Sequence, residues 1–109
     1  MDFNEYQKQA MKTAKEWDDN DMHMAYCALG LVGEAGECCE AIKKHLSGAK
    51  KINPDNMKKE LGDVLWYVAT TAAFFDFDLS DIAQTNIDKL RARHGDKWSG
   101  HGNRDGDGA

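Results

Sequence analysis

The chain has no apolar run approaching the ~20 residues that a membrane span requires, and no leader with a hydrophobic middle. These two absences predict a cytoplasmic protein with no membrane partner. There is also no surplus of basic residues, since 14 Lys and Arg stand against 19 Asp and Glu for a net charge of −5. A polyanionic partner needs clustered Lys and Arg, so nucleic acid is not an expected ligand. Cysteine is scarce and unpaired. The three residues Cys27, Cys38 and Cys39 are odd in number, two are adjacent, and none forms a Cys-x-x-Cys pair. That pattern supports neither a disulfide framework nor a zinc site, and reads as reduced, buried, small apolar side chains. Strand alternation, internal repeats and interdomain linkers are missing as well.

What remains is helical. With 109 residues the chain is one domain, small enough that folding buries only ~60–70% of its unfolded surface, and oligomerisation commonly stabilises chains of this size. Phe3, Tyr6, Ala10, Ala14 and Trp17 recur at steps of three and four, which predicts a first helix over residues 3–19. Asp18-Asp19-Asn20-Asp21 is a turn. A second helix is expected from Met24 to Leu46, with Ala28, Val32, Ala35, Cys39, Ile42 and Leu46 forming a near-heptad seam. Gly30, Gly33 and Gly36 fall inside it. Each costs about 0.8–1 kcal/mol relative to Ala, so another backbone or a ligand approaches closely there. A short basic connection, Ala49-Lys50-Lys51-Ile52, leads to Asn53-Pro54-Asp55, a strong start signal for a third helix running to Phe75. A fourth helix follows from Asp81 to Arg93. The expected fold is an all-α, four-helix-bundle-type domain over residues 1–98, completed by oligomerisation. A flexible polar tail over 99–109 follows it.

The chemistry sits in four carboxylates. Glu34-Ala-Gly-Glu37 and Glu60-Leu-Gly-Asp63 each place two acids three residues apart, on one helical face. Asp63 falls about 60° round the helix from Glu60, at the edge of the apolar stripe. Glu34 and Glu37 lie beside Gly30, Cys38 and Ala41, a face of small residues. A short loop favours antiparallel packing of the second and third helices, which lets the two pairs meet. Acids on core-facing surfaces repel one another and lose hydration unless a cation sits between them. Carboxylate oxygens are hard ligands, so that cation is Mg²⁺, with Mn²⁺ as a substitute. Magnesium held this way keeps positions for water and phosphate, the arrangement for metal-assisted attack on a phosphoric anhydride. A di-iron centre is not expected, because none of His23, His45, His94 and His101 lies three residues after a glutamate.

A phosphate-bearing substrate needs cations too. Asn86, Lys89 and Arg93, at steps of three and four, can present an amide, an ammonium and a guanidinium to phosphate oxygens. A solvated amphipathic edge explains the same three residues as well. Trp17 can stack on a base with Asn20 or His23 reading its edge, although packing of the first helix explains Trp17 equally.

The segments Leu31-Val32-Gly33-Glu34-Ala35-Gly36-Glu37 and Glu60-Leu61-Gly62-Asp63-Val64-Leu65-Trp66-Tyr67 resemble the MazG-type nucleoside triphosphate pyrophosphohydrolases of the all-α NTP pyrophosphatase superfamily. The likeness continues through Asn86-Ile87-Asp88-Lys89-Leu90-Arg91-Ala92-Arg93 and covers nearly everything but the tail. It implies hydrolysis of a (d)NTP between the α- and β-phosphates, giving the monophosphate and pyrophosphate. It also implies Mg²⁺ held by Glu34, Glu37, Glu60 and Asp63, with one of the glutamates helping to activate water. Asn86, Lys89 and Arg93 would then contact the phosphates. Dimeric or tetrameric assembly with sites near subunit interfaces is implied as well. So is a role in dNTP metabolism, in the host cytoplasm for a phage-encoded chain. Two alternatives stay open: a metal-binding regulatory module without turnover, and a relative acting on dUTP or phosphoribosyl-ATP.

Overall fold

A computed structural model describes residues 1–95, so the end of the expected domain and the expected flexible tail lie outside the described residues. Four helices and no strand make up that portion: α1 (Phe3–Met11), α2 (Asn20–Leu46), α3 (Pro54–Phe74) and α4 (Leu79–His94). The all-α expectation holds.

The start of α1 is a capping box, with the Asp2 carboxylate accepting the Glu5 N–H at 2.8 Å and Glu5 accepting the Asp2 N–H at 3.1 Å. The helix stops well short of residue 19. Lys12, Thr13 and Ala14 donate to carbonyls three residues back, tightening the last turn. The Thr13 hydroxyl claims the Ala10 carbonyl at 2.7 Å and accepts the Trp66 indole N–H at 2.9 Å. Trp17 therefore lies on the connection. At the next boundary, Asp19 caps α2 by accepting the Met22 N–H, so α2 starts earlier than its apolar pattern predicts. Asn53 caps α3 as its sequence foretells.

The start of α4 is capped from a distance. Asp78 occupies the N-cap position without a side-chain cap bond. Instead, the Leu79 N–H donates to Gln7 Oε1 at 3.0 Å and the Ser80 N–H to Asn4 Oδ1 at 3.1 Å. Gln7 Nε2 also donates to the carbonyls of Ala69 and Phe77, at 3.1 and 3.0 Å. This buried glutamine thus joins α1, α3 and the turn before α4, and gives the buried Leu79 N–H the acceptor it lacks within its own helix.

α3 is the hub, since α1, α2 and α4 all pack on it, while α2 touches neither α1 nor α4. The core is thin. Ala10, Ala69 and Leu79 form it, with Tyr6, Leu65, Trp66 and Val68 against them. The predicted α2 seam does not point inward. Val32 is 72% exposed and Leu46 79%, and Ala28, Ala35, Cys39 and Ile42 are exposed with them. The helix turns its small face to α3, so that Cys27 and Cys38 are buried and Gly30, Glu34 and Ala41 partly so. Small residues allow the close helix contact, and the aliphatic stripe is left outside.

Candidate active site

His23 meets Phe74, Gly30 meets Tyr67, and the Glu34–Glu37 pair meets Glu60, so α2 and α3 run antiparallel. That packing brings carboxylate oxygens of Glu34, Glu37 and Glu60 within 4.8 Å of one another. Glu34 and Glu60 are partly buried and Glu37 is exposed. Burial, and then the charges of Glu37 and Asp63, push the Glu34 carboxyl above its ordinary range. Asp63 lies on the same side of α3 but outside the trio. Its charge reaches both Glu34 and Tyr6, whose phenol is raised first by burial and then by Asp63.

Glu60 Oε2 is buried and has no hydrogen-bond partner. A carboxylate oxygen in that state is costly, and the neighbouring acids make it costlier. Three carboxylates converging on one spot, one of which carries a buried unpartnered oxygen, fit a hard divalent cation such as Mg²⁺ or Mn²⁺.

One turn beyond Asp63, Tyr67 lies close to Gly30. An added Cβ at Gly30 would fall 2.0 Å from Tyr67 Cε1, so glycine is needed there for the ring to approach. Nothing lies within 4 Å of a Cβ built at Gly33 or Gly36. The Tyr67 hydroxyl donates to the Tyr26 hydroxyl at 3.2 Å. That bond, followed by burial, pushes the Tyr67 phenol up to about 12, so it stays a protonated donor at neutral pH. Neither tyrosine was singled out from the sequence. The available signal was the spacing of Tyr67 four residues after Asp63, which places it on the acid-bearing face.

The residues expected to hold a base form an aromatic nest near the start of α2. Trp17 stacks on His23 at 6.0 Å and 15°, and leans on Tyr26 at 5.1 Å. His23 meets the edge of Phe74 at 4.7 Å, and Lys15 Nζ sits 4.1 Å from the Trp17 ring centroid. Asn20 is exposed at the first position of α2. The residues expected to hold phosphate are placed elsewhere. Asn86 and Lys89 line a cavity of about 400 Å³ with Phe77 and Ile82, Arg93 is exposed, and α4 does not touch α2. The α4 backbone that carries these three residues makes no close approach to α2, which carries Glu34 and Glu37.

Fold and site define an all-α protein with a helix-borne carboxylate centre suited to a hard divalent ion. A model of the MazG nucleotide pyrophosphohydrolase domain matches residues 23–98, and the chain belongs to that family. It is also 43% identical over 74 residues to the Gene 37 protein of Mycobacterium phage L5, a match covering 64% of this chain and 65% of that protein. The chain therefore spans just under two thirds of that relative's length. No solved structure matches significantly. Among the described residues, no helix is long and apolar enough to cross a membrane.

Proposed function

We propose that the protein is a Mg²⁺-dependent pyrophosphohydrolase that cleaves the α–β anhydride of a (d)NTP to the monophosphate and pyrophosphate, acting on cytoplasmic dNTP pools. The observation that carries this reading is the convergence of the Glu34, Glu37 and Glu60 carboxylates, together with a buried Glu60 oxygen that has no hydrogen-bond partner. Glu34, Glu37, Glu60 and Asp63 hold the ion. When bound, such an ion polarises phosphoryl oxygens and neutralises charge that develops on them. On the protein side, Glu34 or Glu37 accepts the proton of the attacking water. The Trp17–His23 pair with Asn20 receives the base, and the Tyr67 hydroxyl steadies the aromatic wall beside the acids.

The working enzyme is a homo-oligomer. Leu29 at 73%, Val32 at 72% and Leu46 at 79% exposure are apolar side chains on α2 left open to solvent, and a second copy covers them. Assembly also supplies the route by which Asn86, Lys89 and Arg93 approach the phosphates, because their own α4 stays clear of α2.

Pyrophosphate release is to be measured from a panel of NTPs and dNTPs with Mg²⁺, with Mn²⁺ and with chelator. The expected result is metal-dependent pyrophosphate with monophosphate as co-product, abolished in Glu37→Gln and Asp63→Asn without loss of fold. Orthophosphate release would refute the assigned bond. A folded, metal-binding chain with no turnover on any base would replace the enzyme with a regulatory module.

A further inference from the structure

Beyond the carboxylates, the α2–α3 hairpin holds a second group of charges to which no role has been assigned. A cavity of about 530 Å³ opens between the end of α2, the connection and the start of α3. Its charged lining is Glu37, Glu40 and Glu60 together with Lys44, Lys50 and Lys51. Its volume lies in the range of small-molecule sites. The connection is held in place. The Lys44 carbonyl accepts the N–H groups of Ala49 and Lys50 at 3.0 and 3.2 Å, and the Ile52 N–H donates to His45 Nδ1 at 3.0 Å. Gly48, at φ +82°, makes the reversal. The fold thus gathers three ammonium-bearing residues around a cavity that Glu37 and Glu60 of the carboxylate cluster also line.

The order of groups along α2 adds direction. From its N-terminal end come the aromatic nest at His23 and Tyr26, then Glu34 and Glu37, then Lys44 and the basic connection. At the helical rise, Tyr26 to Glu34 spans about 12 Å and Glu37 to Lys44 about 10 Å. A nucleoside triphosphate has the same sequence of parts, with base, scissile anhydride and terminal phosphates in line. A single divalent ion offsets only part of the charge of four carboxylates and a polyanionic substrate, so further cations are required beside it. The exposed α3 N-terminus contributes little beyond its dipole, because Asn53 Oδ1 already accepts the N–H groups of Asp55 and Asn56.

We propose that Lys44, Lys50 and Lys51 form an anion subsite that receives the terminal diphosphate of the substrate, and the pyrophosphate product after cleavage. This assignment rests on the hydrolase reading for its direction, but not for the existence of the subsite. The test compares the full chain with Lys50→Gln/Lys51→Gln and with Lys58→Gln/Lys59→Gln. Both double variants lose the same charge, but only the first alters the cavity lining. Inorganic pyrophosphate and a nucleoside monophosphate are titrated calorimetrically with Mg²⁺ present, and KM and kcat are measured in parallel.

The expected result is a loss of about tenfold or more in pyrophosphate affinity for the first variant alone, with monophosphate affinity unchanged. KM should rise with kcat largely kept, as for an interaction present in both ground and transition states. Equal losses in both variants, no loss in either, or no pyrophosphate binding by the parent chain would overturn the subsite. A chain that turns over no nucleotide yet loses pyrophosphate only in the first variant would overturn the hydrolase and retain the subsite.

Discussion

Replacing Gly30 by alanine separates two effects that usually travel together. In an open helix interior, alanine gains about 0.8–1 kcal/mol over glycine. At Gly30 the new Cβ falls 2.0 Å from Tyr67 Cε1 and 2.4 Å from Cζ. The ring cannot simply swing away, because its hydroxyl is bonded to Tyr26 and it packs edge-to-face with Trp66 at 4.9 Å and 83°. Overpacking costs about 1–3 kcal/mol, and the Tyr67–Tyr26 hydrogen bond contributes about 0.5–1.5. The clash outweighs the propensity gain, leaving a net destabilisation of about 1–3 kcal/mol. Gly33 and Gly36 have nothing within 4 Å of a built Cβ, so Gly33→Ala and Gly36→Ala stabilise by up to about 1 kcal/mol. For a domain of this size each kcal/mol is worth about 4–8 °C in Tm, so the Gly30 and Gly33 variants should melt roughly 10 °C or more apart. Circular dichroism melts on metal-free protein, at a concentration low enough that no second copy covers Gly33, give the comparison. A Gly30→Ala protein melting as high as Gly33→Ala would show that Tyr67 is not held against α2.

Gln7→Ala should cost about 2–4 kcal/mol by urea unfolding, because two carbonyls and one N–H lose their only side-chain partner in a buried place. Glu34→Gln should raise the melting temperature of metal-free protein at neutral pH. Burial and neighbouring acids raise the folded-state pKa of Glu34, so the native chain binds its proton more readily than the unfolded chain does, and stability falls as pH rises through that range. The gain from Glu34→Gln should therefore shrink on acidification, within a window above the ordinary carboxylate range, and vanish in saturating Mg²⁺. Val32→Asp, on the outer face of α2, should lower the sedimentation-derived mass without changing the helical circular dichroism of the subunit.

The elements were legible because their signals are local. Asn53-Pro54-Asp55 marks its helix start whatever packs nearby, and the spacing of Glu34, Glu37 and Glu60 fixes their faces once two helices pair. The inward side of α2 was harder to read. Two candidate stripes ran along it, an aliphatic seam and a face of small residues, and hydrophobicity favoured the seam. Close approach to α3 instead required the small face, which no periodicity of apolar residues reveals. The end of α1 was hidden for a similar reason. Thr13 breaks the helix by bonding Ala10 and Trp66, and the second partner is distant in sequence. Trp17 fits an α1 stripe on paper but in space belongs to the aromatic nest on α2. The cavity beside Lys44 depends on a folded connection, whereas a basic loop read alone looks merely solvated.

Gln7 and Asn4 give the fold a division of labour in time as well as in space. Their bonds to Ala69, Phe77, Leu79 and Ser80 join residues between 62 and 76 positions apart. The α2–α3 hairpin closes across one short connection. Loop-closure entropy grows with the length of chain enclosed, and contacts distant in sequence are the slower ones to establish. The carboxylates, the His23 and Tyr26 part of the aromatic nest and the lysine-lined cavity all lie on the hairpin with the shorter closure, and the chain's first residues are expected to fasten α4 to it later. A bulky fusion at the N-terminus would load that fastening first and leave the pairing of Glu34 and Glu37 with Glu60 intact.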